Sequence, residues 1–125
     1  MLKALETLSR LARLLFWPAL IFALVMAVLP QPPQLPMTDM GDKVQHMLAF
    51  FTLTLLAGTG WPRLALVRAL LALSLVGAGI ELVQAIPALH RTADWRDWMA
   101  DTAAICAGLV PVAVFRHLLE QRSTA

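Results

Sequence analysis

The chain has 125 residues, of which 59% are hydrophobic and only 14% are charged, and its mean hydropathy is +0.71. A soluble domain usually carries about 25% charged residues, because every helix of a soluble bundle needs a polar face. The length allows one domain, and the shortage of charge excludes an ordinary soluble fold. The formal charge of +2 does not indicate nucleic-acid binding, because the basic residues are scattered and form no stripe.

Four apolar segments follow one another along the chain, and each is predicted to be a membrane helix. The first covers residues 11–29 and carries no A-x-A-like cleavage site, so we interpret it as an uncleaved helix. Four prolines within residues 30–36 end it, because proline lacks the backbone donor that a helix needs. The other predicted helices cover residues 43–61, 63–86 and 97–117.

Basic residues are distributed unevenly between the two sides of the predicted bundle. An even number of spans places both termini on one side, and that side collects seven of the ten basic residues. The positive-inside rule therefore predicts that both termini are cytoplasmic. The predicted fold is an all-α integral membrane bundle of four short transmembrane helices. The basic residues on the predicted inner side are Lys3, Arg10, Arg13, Arg63, Arg68, Arg116 and Arg122.

Acidic residues gather at the opposite, outer end of the predicted bundle. Location in a polar loop explains why some of these acidic residues are present. Glu81 and Asp101 instead lie inside predicted helices, about one turn from the outer boundary, and so does His46. An isolated ionisable group is costly at that depth, so we expect these side chains to face one another. The acidic residues at this end are Asp39, Asp42, Glu81, Asp94, Asp97 and Asp101.

Residue spacing places the polar side chains on shared helix faces. Asp42 and His46 are four residues apart, and Glu81 and Gln84 are three apart, so each pair lies on one face of its helix. Asp94, Asp97 and Asp101 are spaced by three and then four residues. They are predicted to form one further face leading into the fourth helix. Short connections between antiparallel helices would bring these faces together. The predicted cup contains Asp42, Lys43, His46, Glu81, Gln84, Arg91, Asp94, Asp97 and Asp101.

Three polar motifs in chain order carry a family resemblance. They read Asp42-Lys43-x-x-His46-x-x-x-Phe50, Glu81-x-x-Gln84 and Arg91-x-x-Asp94-x-x-Asp97. Together they resemble the VanZ-like family, which is named for a membrane protein associated with resistance to the glycopeptide teicoplanin. The resemblance covers about residues 39–108 and implies a single VanZ-like transmembrane domain over residues 1–125. The family commonly has an asparagine where this chain has Asp101, followed by a glycine matched here by Gly108.

The residue types in the cup suggest roles for its members. His46, oriented by Asp42 and beside Glu81, is the candidate acid–base group. Lys43 and Arg91 supply positive charge for a phosphate or carboxylate, and an arginine can bind either group with two parallel hydrogen bonds. No serine or cysteine belongs to the cluster, which argues against a serine or cysteine nucleophile. The remaining candidate ligand-binding residues are Gln84, Asp94, Asp97 and Asp101.

No cofactor is predicted from the sequence. The carboxylates of the cup offer oxygen ligands of the kind that Ca²⁺ and Mg²⁺ prefer. Binding of a divalent cation at the acidic cluster is therefore left open. No known cation-binding loop signature accompanies them. Metal dependence and oligomeric state are not determined by the sequence.

The sequence favours a membrane protein that binds or modifies an anionic lipid or a lipid-linked envelope precursor and so influences teicoplanin sensitivity. It leaves open whether a bond is broken. A small proton-coupled transporter is one alternative, since intramembrane carboxylates and histidines serve as proton relays. Against it, no ionisable residue continues from Glu81 down to Arg68. A structural scaffold is another, in which polar contacts worth about 1 kcal/mol each only join the helices.

Overall fold

A computed structural model of the protein describes residues 1–29, 41–89 and 93–124, including all of their side chains except those of residues 41 and 42. Every regular element in these ranges is helical, which confirms the predicted all-α class with four long helices. The elements are α1 (Leu2–Val28), α2 (Gly41–Gly60), α3 (Leu66–Gln84), a short 3-10 turn (Pro87–Leu89) and α4 (Trp95–Thr124).

The helix bounds differ from the predicted ones at the bundle's charged ends. α1 begins at Leu2 rather than at residue 11, because the lysine, glutamate and arginine of its first turns are good helix formers. α4 continues to Thr124, seven residues beyond the predicted end at residue 117. α1 and α4 also run through Pro18 and Pro111 without ending.

Contacts between helix ends fix the relative directions of the helices. Gln84 at the end of α3 bonds Ala27 near the end of α1. Lys43 at the start of α2 pairs with Asp97 in the first turn of α4, and the charge of Asp97 also acts on Glu81 near the end of α3. The ends of α1 and α3 therefore lie beside the starts of α2 and α4. We call this the polar end of the bundle.

The opposite end of the bundle is held by a second set of contacts. Arg116 near the end of α4 donates hydrogen bonds to the carbonyls of Gly58, near the end of α2, and Leu64, just before α3. Gly60 at the end of α2 lies against Arg13 of α1. Arginines dominate this end, and we call it the basic end.

Two glycines bring α2 and α4 close together. A Cβ atom built on Gly58 would lie 2.5 Å from Val112 Cγ1, and one built on Gly108 would lie 2.9 Å from Thr54 Cβ. Small residues allow helix backbones to approach closely, which is how helices associate in lipid. The core accordingly includes several alanines beside its larger members, among them Ala57, Ala69 and Ala104.

Large apolar side chains cover the outside of the bundle. Examples are Leu14, Ile21 and Phe22 on α1 and Leu75 on α3, all more than half exposed. A soluble monomer rarely exposes apolar surface on this scale. Among the described residues, α1, α3 and α4 are long and apolar enough to cross a membrane, which indicates a membrane protein. α2 is not among them, and its first turns carry Lys43, Gln45 and His46.

Candidate functional site

Glu81 occupies the junction of three helices at the polar end. Its Oε2 accepts a hydrogen bond of 2.9 Å from the backbone N–H of Asp94, which ties the last turn of α3 to the residue before α4. Its Oε1 is buried and has no hydrogen-bond partner among the residues that the structure describes. The charges of His46 on α2 and of Asp97 on α4 act on the Glu81 carboxylate. His46, Glu81 and Asp97 come from three separate helices and are therefore close enough for their charges to interact. That they form one functional site stays a prediction.

Asp94 caps the start of α4 and does not lie on the helix. Its Oδ1 accepts a hydrogen bond of 2.9 Å from the backbone N–H of Arg96, two residues on. Aspartate is a preferred N-cap residue because it satisfies a donor that the first helical turn leaves free. The carboxylate of Asp94 therefore acts as the N-cap of α4, and the predicted acidic face of the helix consists of Asp97 and Asp101 only.

Lys43 and Asp97 form a loose ion pair at the surface of the polar end. Lys43 Nζ lies 3.8 Å from Asp97 Oδ1, and the two side chains are 51% and 22% exposed. Exposed pairs of this kind contribute about 0–1 kcal/mol to stability. Either group can therefore exchange its partner for a ligand at little cost.

Asp101 is completely buried one turn further along α4. Its Oδ2 would lie 3.6 Å from a Cβ atom on Gly77, and Phe50 and Trp98 are as close to that position. Gly77 on α3 thus provides the space that the buried carboxylate and its aromatic neighbours occupy. Gly79, two residues further along α3, has nothing within 4 Å of its Cβ position.

Gln84 joins two helices and is not open to a ligand. It is 2% exposed, and its Nε2 donates a 3.0 Å hydrogen bond to the carbonyl of Ala27 on α1. Of the two roles considered for this residue, ligand contact and interhelical hydrogen bond, the geometry fits the second.

A polar link between α3 and α4 was not predicted. Ser74 Oγ and Thr102 Oγ1 are 3.0 Å apart, and the indole N–H of Trp98 donates to the carbonyl of Ser74 at 3.0 Å. Trp98 thus helps to orient the two helices that carry Glu81 and Asp101. Serine, threonine and tryptophan are too common in membrane helices for their spacing to have revealed this link.

Arg116 is a second residue whose role sequence reasoning missed. Its guanidinium donates to the carbonyls of Leu64 at 2.7 Å, Gly58 at 3.0 Å and Trp61 at 3.2 Å. These carbonyls belong to the end of α2 and the turn into α3, where helix geometry leaves acceptors without partners. The arginine therefore closes the end of α2.

Arg91 and the side chain of Asp42 lie outside the described residues, so the predicted Asp42–His46 pair and the guanidinium of Arg91 stay predictions. In the described ranges, no group of three or more histidine, cysteine, aspartate or glutamate side chains is arranged to hold a metal ion.

Comparisons with family models, curated proteins and solved structures give no match to this chain. The resemblance to the VanZ-like family therefore rests on the three polar motifs. Of their members, Lys43, His46, Phe50, Glu81 and Asp97 lie at the polar end together.

Proposed function

We propose that the protein is a VanZ-like protein of the bacterial cytoplasmic membrane that binds the headgroup of a lipid-linked envelope precursor. In this proposal all four helices cross the membrane, both termini are cytoplasmic, and the polar end faces outward. The support for this orientation is the concentration of arginines at the basic end, which the positive-inside rule places in the cytoplasm. α2 crosses with Gln45 and His46 partly buried near its start, whereas Lys43 is exposed at the surface of the polar end.

The observation that carries the proposal is the convergence of α2, α3 and α4 on Glu81. A carboxylate oxygen of Glu81 is buried without a hydrogen-bond partner in the described part of the chain, and His46 and Asp97 act on it. Burying a charged group without full hydrogen bonding is costly, and such groups in membrane proteins are by default functional. A ligand hydroxyl would supply the missing donor.

The mixture of charges indicates what kind of headgroup fits. Lys43 is half exposed and only loosely paired, so it is available to a phosphate, and an imidazole N–H of His46 would add a second donor. Glu81 and Asp97 accept hydrogen bonds from the hydroxyls of a sugar. An anionic phosphate joined to a hydroxyl-rich group uses both sets, and lipid-linked envelope precursors have this composition. His46 is the acid–base candidate if the bound precursor is also modified.

A proton-coupled transporter is less well supported by the same geometry. Below Asp101, the buried face of α4 consists of Ala104, Ile105, Gly108 and Val112, all of them apolar. Between this level and the basic end, the described helices carry no ionisable residue except Cys106, which is exposed. Proton relays need a chain of such groups, so the arrangement favours binding at one end over passage through the bundle.

Lipid binding by the purified protein tests the proposal. The probe is undecaprenyl diphosphate, with uncharged undecaprenol as the control lipid, and retention is measured by native mass spectrometry from detergent. We expect the wild type to retain the diphosphate only. Lys43→Gln and His46→Ala should each weaken retention by roughly tenfold or more, because a hydrogen bond to a charged group contributes about 1.5–3 kcal/mol.

Two control variants separate binding from folding. Glu81→Gln keeps an acceptor for the N–H of Asp94 while it removes the charge, so it should remain folded and should not weaken retention of the diphosphate, which has no sugar hydroxyl for Glu81 to bind. His117→Ala changes an exposed histidine near the far end of α4 and should behave as the wild type. In cells, His46→Ala should alter teicoplanin sensitivity as deletion does. Equal retention of the diphosphate by all variants would leave only the scaffold role.

A further inference from the structure

A cavity of about 780 Å³ opens at the basic end, between the first turns of α1, the end of α2 and the start of α3. Its volume falls within the roughly 300–1,000 Å³ typical of small-molecule sites. The packing of Gly60 against α1 shapes its inner wall, since a Cβ atom there would lie 2.9 Å from Arg13 Cγ and 3.1 Å from Arg13 N. The two helices are therefore in direct contact at this position, which makes the cavity a built feature of the bundle.

Positive charge dominates the lining of the cavity. Glu6 is the one acidic residue among the lining residues, whereas four arginines converge on the space. All four are exposed, and in the described ranges none of them forms an ion pair or a side-chain hydrogen bond. These arginines are Arg10, Arg13, Arg63 and Arg68.

The remaining lining is apolar, which distinguishes a lipid from a free anion. Leu2, Leu5, Trp61 and Leu64 contribute to the walls. The outer side of α1 continues from the cavity as an exposed apolar surface that includes Leu14. A phosphate bound among the arginines would thus have hydrocarbon-compatible surface beside it, as a headgroup with attached acyl chains requires.

We propose that this cavity binds the phosphate headgroup of an anionic phospholipid from the leaflet that surrounds the basic end. The positive-inside rule by itself explains arginines anywhere on the cytoplasmic side, but it does not explain why four of them surround one cavity. Basic pockets between membrane helices on this side are suited to anionic headgroups. The site lies at the opposite end from the proposed precursor site and does not depend on it.

Competition between phospholipids tests this second site. The full-length protein in detergent is titrated with phosphatidylglycerol or with phosphatidylcholine, and bound lipid is counted by native mass spectrometry. We expect selective retention of phosphatidylglycerol. Arg63→Gln and Arg68→Gln should each weaken it roughly fivefold, as expected for one basic residue near an anionic lipid, whereas Arg122→Gln, which lies outside the cavity, should not.

A variant that removes negative charge from the cavity distinguishes a change in lipid binding from misfolding. Glu6→Gln removes the acid from the cavity lining and should strengthen phosphatidylglycerol retention, which a damaged fold would not do. Equal binding of the two lipids, or no gain from Glu6→Gln, would overturn the proposal. Displacement of the lipid by millimolar inorganic phosphate would also overturn it, because the site would then recognise the free anion. None of these variants touches Lys43, His46 or Glu81, so failure here leaves the precursor site standing.

Discussion

Single residues hold the ends of these helices together by satisfying backbone groups. Arg116 donates hydrogen bonds to three carbonyls at the end of α2 and in the following turn. Gln84 donates one hydrogen bond to the carbonyl of Ala27 on α1. An interhelical hydrogen bond was one of the two roles that the sequence left open for Gln84. The role of Arg116 was not predicted, because an arginine that bonds carbonyls and one that only reaches the membrane surface look alike in a hydropathy pattern. His46 and Glu81 were predictable, since an ionisable residue inside an apolar segment is conspicuous.

Removal of the Arg116 guanidinium should destabilise the bundle. Arg116→Met keeps the length and apolar stem of the side chain but leaves the carbonyls of Gly58, Trp61 and Leu64 without these donors. We expect a loss of about 2–3 kcal/mol in the free energy of unfolding, the range for hydrogen bonds to a charged group. Denaturation in mixed detergent micelles measures it. Arg122→Met, at an exposed position of the same helix, should change stability little, and equal effects of the two variants would refute the capping role.

At the scale of helices, close contact between α2 and α4 sets the position of the polar residues. Gly108 lies against Thr54 and the Phe51 carbonyl, so the two helices stay near enough for Lys43 to reach Asp97. The sequence predicted the four helices because their apolar runs are long and separated by prolines. It did not predict their ends, because charged first and last turns remain helical.

Alanine substitution at two glycines should have opposite effects on stability. In Gly108→Ala the new methyl would lie 2.9 Å from Thr54 Cβ and 3.3 Å from the Phe51 carbonyl, and overpacking of this kind costs about 1–3 kcal/mol. Gly79 has open space around its Cβ position, so Gly79→Ala should stabilise α3 by up to about 1 kcal/mol. Thermal unfolding in detergent compares the two variants. A lower melting temperature for Gly79→Ala than for Gly108→Ala would contradict this packing.

The whole molecule is a helical bundle with chemically different ends. Carboxylates, a lysine and a histidine meet at the polar end, arginines surround a cavity at the basic end, and apolar side chains cover the surface between them. Composition predicted the membrane environment. Motif spacing predicted that Lys43, Glu81 and Asp97 lie at one end of the bundle, and their forming one functional site stays a prediction. The cavity was not predictable, because Arg10 and Arg63 are distant in sequence and become neighbours only when α1 packs against the end of α2.

Cysteine labelling in cells tests most directly whether the polar end faces outward from the membrane. Lys43→Cys and Arg63→Cys, each combined with Cys106→Ala, place one thiol at an exposed position of either end. A membrane-impermeant maleimide applied to intact spheroplasts should label Lys43→Cys, whereas Arg63→Cys should react only after the membrane is disrupted. Labelling of Arg63→Cys alone in intact spheroplasts, or equal labelling of both variants, would contradict an outward-facing polar site.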